Sequence, residues 1–175
     1  FLELAGWTTI LGNGIELQRK IVTTSQHGSH HVELDSHSKI GSNSVMNQSL
    51  SSLVSGADYL LTFYYKPRTK KTNDNGINVY WYNNDTNFNE TISTSLIADS
   101  TSRLSRTWTE QSVILTADST QMNLSFGAFG RENTLGGLID NISLVKVNEP
   151  VIFSLFAFLV SFTLYRQRNR QFKNR

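Results

Sequence analysis

The chain has no cysteine and only two prolines in 175 residues. Without thiols, a disulfide framework, a thiolate zinc site and a cysteine nucleophile are all excluded. Helical periodicity is missing before Pro150. Catalytic signatures are missing too. There is no Gly-Xaa-Ser-Xaa-Gly elbow, no phosphate loop and no His-Glu-Xaa-Xaa-His, and Gly12-Xaa-Gly14 is followed by no third glycine. The chain opens at Phe1 with neither Met nor an apolar leader, so a longer precursor with a signal peptide is expected.

Basic charge is scarce in the body of the chain. Of 16 Lys and Arg, five lie beyond Pro150, and all 14 acids lie before it, which leaves residues 1–150 at a net −3. A nucleic-acid surface needs a basic face on the folded part, so no nucleic-acid partner is expected.

The longest apolar run is Val151 to Tyr165, without a single charge. Arg166, Arg168, Arg170, Lys173 and Arg175 follow it. Fifteen residues of helix reach about 22 Å, short of a bilayer core of about 30 Å, and interfacial Tyr165 and a snorkelling Arg166 extend that reach. The expectation is one membrane-spanning helix, with the arginines holding the C-terminus in the cytoplasm and the body outside. The alternative is a buried terminal helix, which should carry a polar stripe that this run lacks.

In the body, alternation replaces helical periodicity. Tyr59, Leu61, Phe63 and Tyr65 make one strand face; Leu60, Thr62, Tyr64 and Lys66 make the other. Ile77, Val79 and Trp81 oppose Asn78, Tyr80 and Tyr82; Met122, Leu124 and Phe126 form another inward set. Val32 and Leu34 alternate with Glu33 and Asp35. Near the end, Asp140, Ile142, Leu144 and Lys146 fall on one side. Turn residues separate these runs, as at Asn73-Asp74-Asn75-Gly76 and Ser55-Gly56-Ala57-Asp58. Short strands with frequent turns predict an all-β, antiparallel sandwich of two sheets over one core.

The series His31-Val32-Glu33-Leu34-Asp35-Ser36, Leu60 to Arg68, Trp108-Thr109, Leu124 to Ala128 and Gly137 to Leu144 resembles the galactose-binding-like jelly-roll domains of bacterial surface proteins. The resemblance covers most of residues 6–147. Such domains usually begin with an Asn-Gly-Xaa-Phe-Glu strand, of which at most Phe1 is left. The tail resembles the PEP-CTERM sorting signal. Glu149 and Pro150 match its short motif, while Asn148 stands where its first proline usually is. The resemblance implies an exosortase as partner. The domains expected are therefore a β-sandwich over 1–147, lacking its first strand, and a sorting or transmembrane segment over 148–175 with a basic tail. The expected location is the cell envelope or surface, single-pass, with the C-terminus cytoplasmic before any processing.

The candidate sites follow from residue chemistry. Aromatic faces stack on sugar rings while Asn and Arg bond hydroxyls, which puts forward Tyr82, Arg131 and Asn133 as contacts for an extracellular polysaccharide. Trp81 and Trp108 suit the core at least as well. The basic residues Lys66, Arg68, Lys70 and Lys71 read as a charged hairpin end. Asp140, beside Asn141, offers oxygens to a hard cation such as calcium, and related domains hold a structural calcium near the sandwich edge. The competing reading is that Asp140 bonds a loop backbone. His27, His30, His31 and His37 have no diagnostic metal spacing. Glu33 and Asp35, at i and i+2, share a separation of about 7 Å with an inverting glycosidase pair, as any such acids on a strand do. Five Asn-Xaa-Ser/Thr sequons, at Asn47, Asn84, Asn89, Asn123 and Asn141, are expected by chance in a chain this rich in those residues. The function expected is a non-catalytic surface protein that binds carbohydrate. The alternative is a structural or adhesive protein that binds other proteins.

Overall fold

A computed structural model describes residues 1–37, 41–71, 73–85, 95–98 and 107–148. The chain order is β1 (Glu3–Leu4), β2 (Trp7–Leu11), β3 (Glu16–Gln18), β4 (His31–Glu33), β5 (Val45–Leu50), β6 (Asp58–Lys66), β7 (Gly76–Asn83), β8 (Ser95–Ala98), β9 (Thr109–Thr116), β10 (Met122–Phe129) and β11 (Leu138–Lys146). No helix occurs among the described residues. These strands form two antiparallel sheets, one ordered β1-β2-β5-β10-β7-β8 and the other β3-β4-β11-β6-β9.

The alternation read from the sequence sets the core. From the five-stranded sheet, Leu61 and Phe63 of β6 point inward and are fully buried. From the six-stranded sheet, Val79 and Trp81 of β7 and Leu124 and Phe126 of β10 meet them. Phe63 and Phe126 touch edge to face across the interface, their centroids 5.1 Å apart. Trp7 of β2 leans on Phe126 from the side, at 5.8 Å. Trp81 is core, and its indole N–H donates to Thr116 O at 2.8 Å.

Two features depart from the simple alternation. The β11–β6 register shifts between Asp140 and Ser143, and Asn141 there has φ 51°. Asp140 consequently pairs with outward-facing Tyr64, while Leu144 pairs with inward-facing Leu61. A bulge moves one residue out of phase, so Asp140 and Leu144 do not share a side as the spacing predicts. Glu33 and Asp35 are the second departure. An alternating strand would turn them to solvent, yet both are fully buried, because the segment 133–136 packs over them.

The outer surface of the five-stranded sheet is partly roofed by the segment 19–30. Trp108 donates its indole N–H to Thr24 O at 3.0 Å, Lys66 Nζ donates to Thr23 Oγ1, and the Asp140 carboxylate accepts the Gln26 amide at 2.7 Å. Val151–Tyr165, Glu149, Pro150, Arg166, Arg168 and Arg170 lie outside the described residues. Among the described residues no helix is long and apolar enough to cross a membrane.

Candidate functional site

Register determines what the outer face of the six-stranded sheet presents. Ser125 of β10 stands between Asn47 of β5 and Tyr80 of β7; Asn123 stands between Ser49 and Tyr82; Gly127 stands between Val45 and Asn78. Thr8 of β2 extends the row past Asn47. Paired residues share a face, so these side chains form one surface.

They are joined by hydrogen bonds. Ser125 Oγ donates to Asn47 Oδ1 at 2.8 Å, and Tyr82 OH donates to the same oxygen at 3.2 Å. Ser49 Oγ donates to Asn123 Oδ1 at 2.8 Å, and Asn123 Nδ2 donates to Asn84 Oδ1 at 2.8 Å. Ser125 is fully buried, and Asn47, Asn123 and Tyr82 are at most 8% exposed, so these polar atoms are satisfied by one another. Thr8 and Ser49 are exposed, and Asn78 and Tyr80 are half-buried, around this bed. A glycan on Asn47 or Asn123 would have to displace this packing.

A second polar cluster sits at one end of the sandwich. Glu33 accepts the Gly136 amide at 2.7 Å and takes bonds from Arg68 Nη1 and Gln18 Nε2. Arg68 also donates to Thr134 O at 3.0 Å. Burial pushes the Glu33 carboxyl up to about 7, against the opposing pull of Arg68. Asp35 Oδ2 accepts the amides of Asn133 and Leu135 at 3.2 and 3.0 Å, whereas its Oδ1 is buried without a partner. Asp74 takes bonds from Thr69 and Asn133 side chains. These acids hold loops.

The residues put forward from sequence fall in different places. Tyr82 belongs to the bed of the sheet face. Arg131 and Asn133 belong to the loop end, where Arg131 is exposed and its amide donates to Asn73 O at 3.0 Å, while Asn133 bridges Asp35 and Asp74. β7 carries Tyr82 near one end and pairs with Phe129 at the other, a separation of about 20 Å at 3.3 Å per residue, so Tyr82 does not meet Arg131 or Asn133. Asp140 Oδ2 accepts the Gln26 and His27 amides at 2.7 and 3.1 Å, and Oδ1 accepts the Asn141 amide at 2.7 Å. Among the described residues no three His, Asp or Glu side chains are grouped to hold a metal.

His31 is buried, contacts Gln18 and Ser25, and packs edge-on to Trp108; burial holds it below its usual value. His27, His30 and His37 are exposed. Of the basic residues at the end of β6 and beyond it, Lys66 sits 5.9 Å from the Trp108 ring centre and Arg68 clamps Glu33, so neither is a free hairpin charge. Sequence reasoning missed Asn47, Asn123 and Ser125 as members of one network. The available signal was small polar residues at alternate positions of two strands, without a hint that the strands are neighbours.

Residues 4–146 match the family model described as "Protein of unknown function (DUF642)". The chain belongs to the DUF642 family. Its fold is shared with solved structures of low sequence identity. The K1 cleaved adhesin domain of Lys-gingipain from Porphyromonas gingivalis W83 aligns with TM-score 0.58 and 17% identity, over 84% of this chain and 94% of that one. The CBM22-1–GH10 modules of Clostridium thermocellum xylanase 10B, solved with xylohexaose, align with TM-score 0.54 and 18% identity, over 86% of this chain. This chain spans 28% of that xylanase chain. TmCBM61, solved with β-1,4-galactotriose, aligns with TM-score 0.50 and 14% identity, over 83% of this chain and 92% of that one. No curated protein matches the chain in sequence. This DUF642 chain therefore shares the antiparallel two-sheet β-sandwich fold of these solved structures.

Proposed function

We propose that this DUF642 chain is a non-catalytic module that binds extracellular carbohydrate on the outer face of its six-stranded sheet. The observation that carries the reading is the hydrogen-bonded bed of amide, hydroxyl and phenol groups at Asn47, Ser125, Asn123 and Tyr82, rimmed by Thr8, Ser49, Asn78 and Tyr80. The bed is satisfied internally and fixes the rim, whose accessible hydroxyl, amide and phenol groups can pair with sugar hydroxyls, and strands hold them more rigidly than loops. Support comes from the fold, which is that of modules solved with xylohexaose and galactotriose.

The proposal includes the division into 1–147 and 148–175. The second part exports or tethers the first, with Glu149 and Pro150 read by an exosortase and Arg166, Arg168 and Arg170 stopping transfer at the membrane. A structural calcium at Asp140 belongs to the same proposal only as an addition, since that carboxylate already holds three backbone amides. A glycan array with the full chain in detergent, with and without calcium, tests the binding; silence on every polysaccharide would count heavily against it. Recovery of the intact chain as freely soluble cytosolic protein would sink the tether.

One observation favours a protein-binding surface instead. Val145, Leu60 and Ile114 are register neighbours on β11, β6 and β9, pointing outward, and are 59%, 37% and 52% exposed. Three apolar side chains in a row on an open face fit a macromolecular contact. The double variant Leu60→Lys, Ile114→Lys separates the two readings. It abolishes the protein contact in that reading and leaves glycan binding intact in the leading one.

A further inference from the structure

The proposed sheet face contains no Lys or Arg on β2, β5, β10 or β7, and an acid, Glu3 of β1, pairs with Thr8 at its rim. A carboxylate or sulfate laid here would lose water and gain no cation, and it would meet the field of Glu3. Hydroxyl-rich, uncharged chains incur no such penalty. The same face carries a glycine inside β10. Gly127 lies on β10 between Val45 and Asn78, in an interior strand position where a side chain would ordinarily pack. A Cβ at this position would come within 3.1 Å of Tyr80 Cε2 and of Val45 Cγ2, and within 3.6 Å of the Tyr80 hydroxyl. The Tyr80 hydroxyl also accepts from Asn78 Nδ2 at 3.3 Å. A tyrosine standing upright on a sheet could not reach both positions, because its hydroxyl would project well above the strands. The long axis of the ring therefore runs along the sheet, with Cε2 in the space beside Gly127 and the hydroxyl beside Asn78.

Resting on the carbohydrate reading above, we infer that this face takes an uncharged glycan, and that Tyr80, whose ring reaches into the space a side chain at Gly127 would fill, is the platform on which a sugar ring stacks. Gly127 is then a positioning residue and Tyr80 a contact. Tyr82 lies deeper, in the bed that fixes the neighbouring strands.

The test uses the full 175-residue chain in detergent with two probe classes. One is neutral, xylohexaose and linear β-1,4-galacto-oligosaccharides; the other is acidic, oligogalacturonate of matched length. Binding is read by calorimetry at low and high salt. Expected results are binding to a neutral probe, unchanged by salt. Tyr80→Ala weakens it about tenfold or more, Tyr80→Phe keeps it within about twofold, and Gly127→Ala weakens it several-fold by lifting the ring. Near-ultraviolet circular dichroism and the melting temperature check that each variant folds, and the Phe variant keeps the test decisive if the Ala variant does not. Binding to oligogalacturonate alone, strengthened at low salt, overturns the neutral-glycan inference and leaves the carbohydrate reading standing. Equal affinity of Tyr80→Ala and the parent overturns the platform. Binding to no probe overturns the inference together with the reading on which it rests.

Discussion

At the scale of single residues, buried charge decides most of what can be predicted. Glu33 is fully enclosed and its carboxyl is raised from 4.5 to about 7, mainly by burial. A raised carboxyl binds more protons in the folded than in the unfolded chain, so its contribution to stability is present below about 4.5 and is lost as pH rises through about 7. His31, held low by burial, acts with the opposite sign: its contribution is present above 6.5 and is lost as pH falls. Comparing urea midpoints across pH for the parent and Glu33→Gln isolates the first effect; the parent should show a fall between pH 4.5 and 7 that the variant lacks. Arg68→Ala leaves Glu33 buried without its cation and should cost about 3 kcal/mol at neutral pH, read from the same curves. Asp140→Ala removes the acceptor of three backbone amides. Amide exchange at Gln26 and His27 should accelerate, and stability should drop by about 2 kcal/mol. The signal for Glu33 was visible only as an acid on a strand. Nothing local says that the chain a hundred residues later folds across it.

At the scale of elements, the bulge in β11 is where alternation misleads. The positive φ of Asn141 suits Asn or Gly and not a β-branched residue. Asn141→Val should cost about 1–3 kcal/mol, whereas Asn141→Gly should be tolerated, a pair of melting curves being enough to tell. The regular strands behave as their spacing implies. In β6, Phe63 is fully buried against Phe126, and Phe63→Ala should cost about 3–5 kcal/mol by opening a cavity between the sheets. Strand identity and facing were legible for β6, β7 and β10 because each carries an unbroken inward set. β4 was only half legible: Val32 and Leu34 read as inward, but the burial of Glu33 and Asp35 comes from a distant loop.

At the scale of the whole molecule, neighbours in the sheets are far apart in sequence. β5 pairs with β10, β10 with β7, and β4 with β11. Chain closure must precede most of these contacts, so folding should take milliseconds to seconds, slow for a domain of this size. Stopped-flow fluorescence of buried Trp81 would follow it. The two outer faces differ in kind. One has a hydrogen-bonded polar bed, and the other is partly roofed by the segment 19–30 and partly an apolar row. That difference is why the proposed glycan contact and the alternative protein contact can be tested apart by surface variants that leave the core alone.

The sequence by itself determined the class of fold and the inward faces, because side chains alternate along a strand and burial favours the apolar set. It also determined which chemistries the absence of thiols forbids. Which strands lie side by side was decided only by the tertiary structure. That choice assembles Asn47, Ser125, Asn123 and Tyr82 from three strands, parts Tyr82 from Arg131 by the length of β7, and brings Tyr80 beside Gly127. The physical reason is that strand order is set by long-range packing and loop closure, and alternation, being local, is the same for every order.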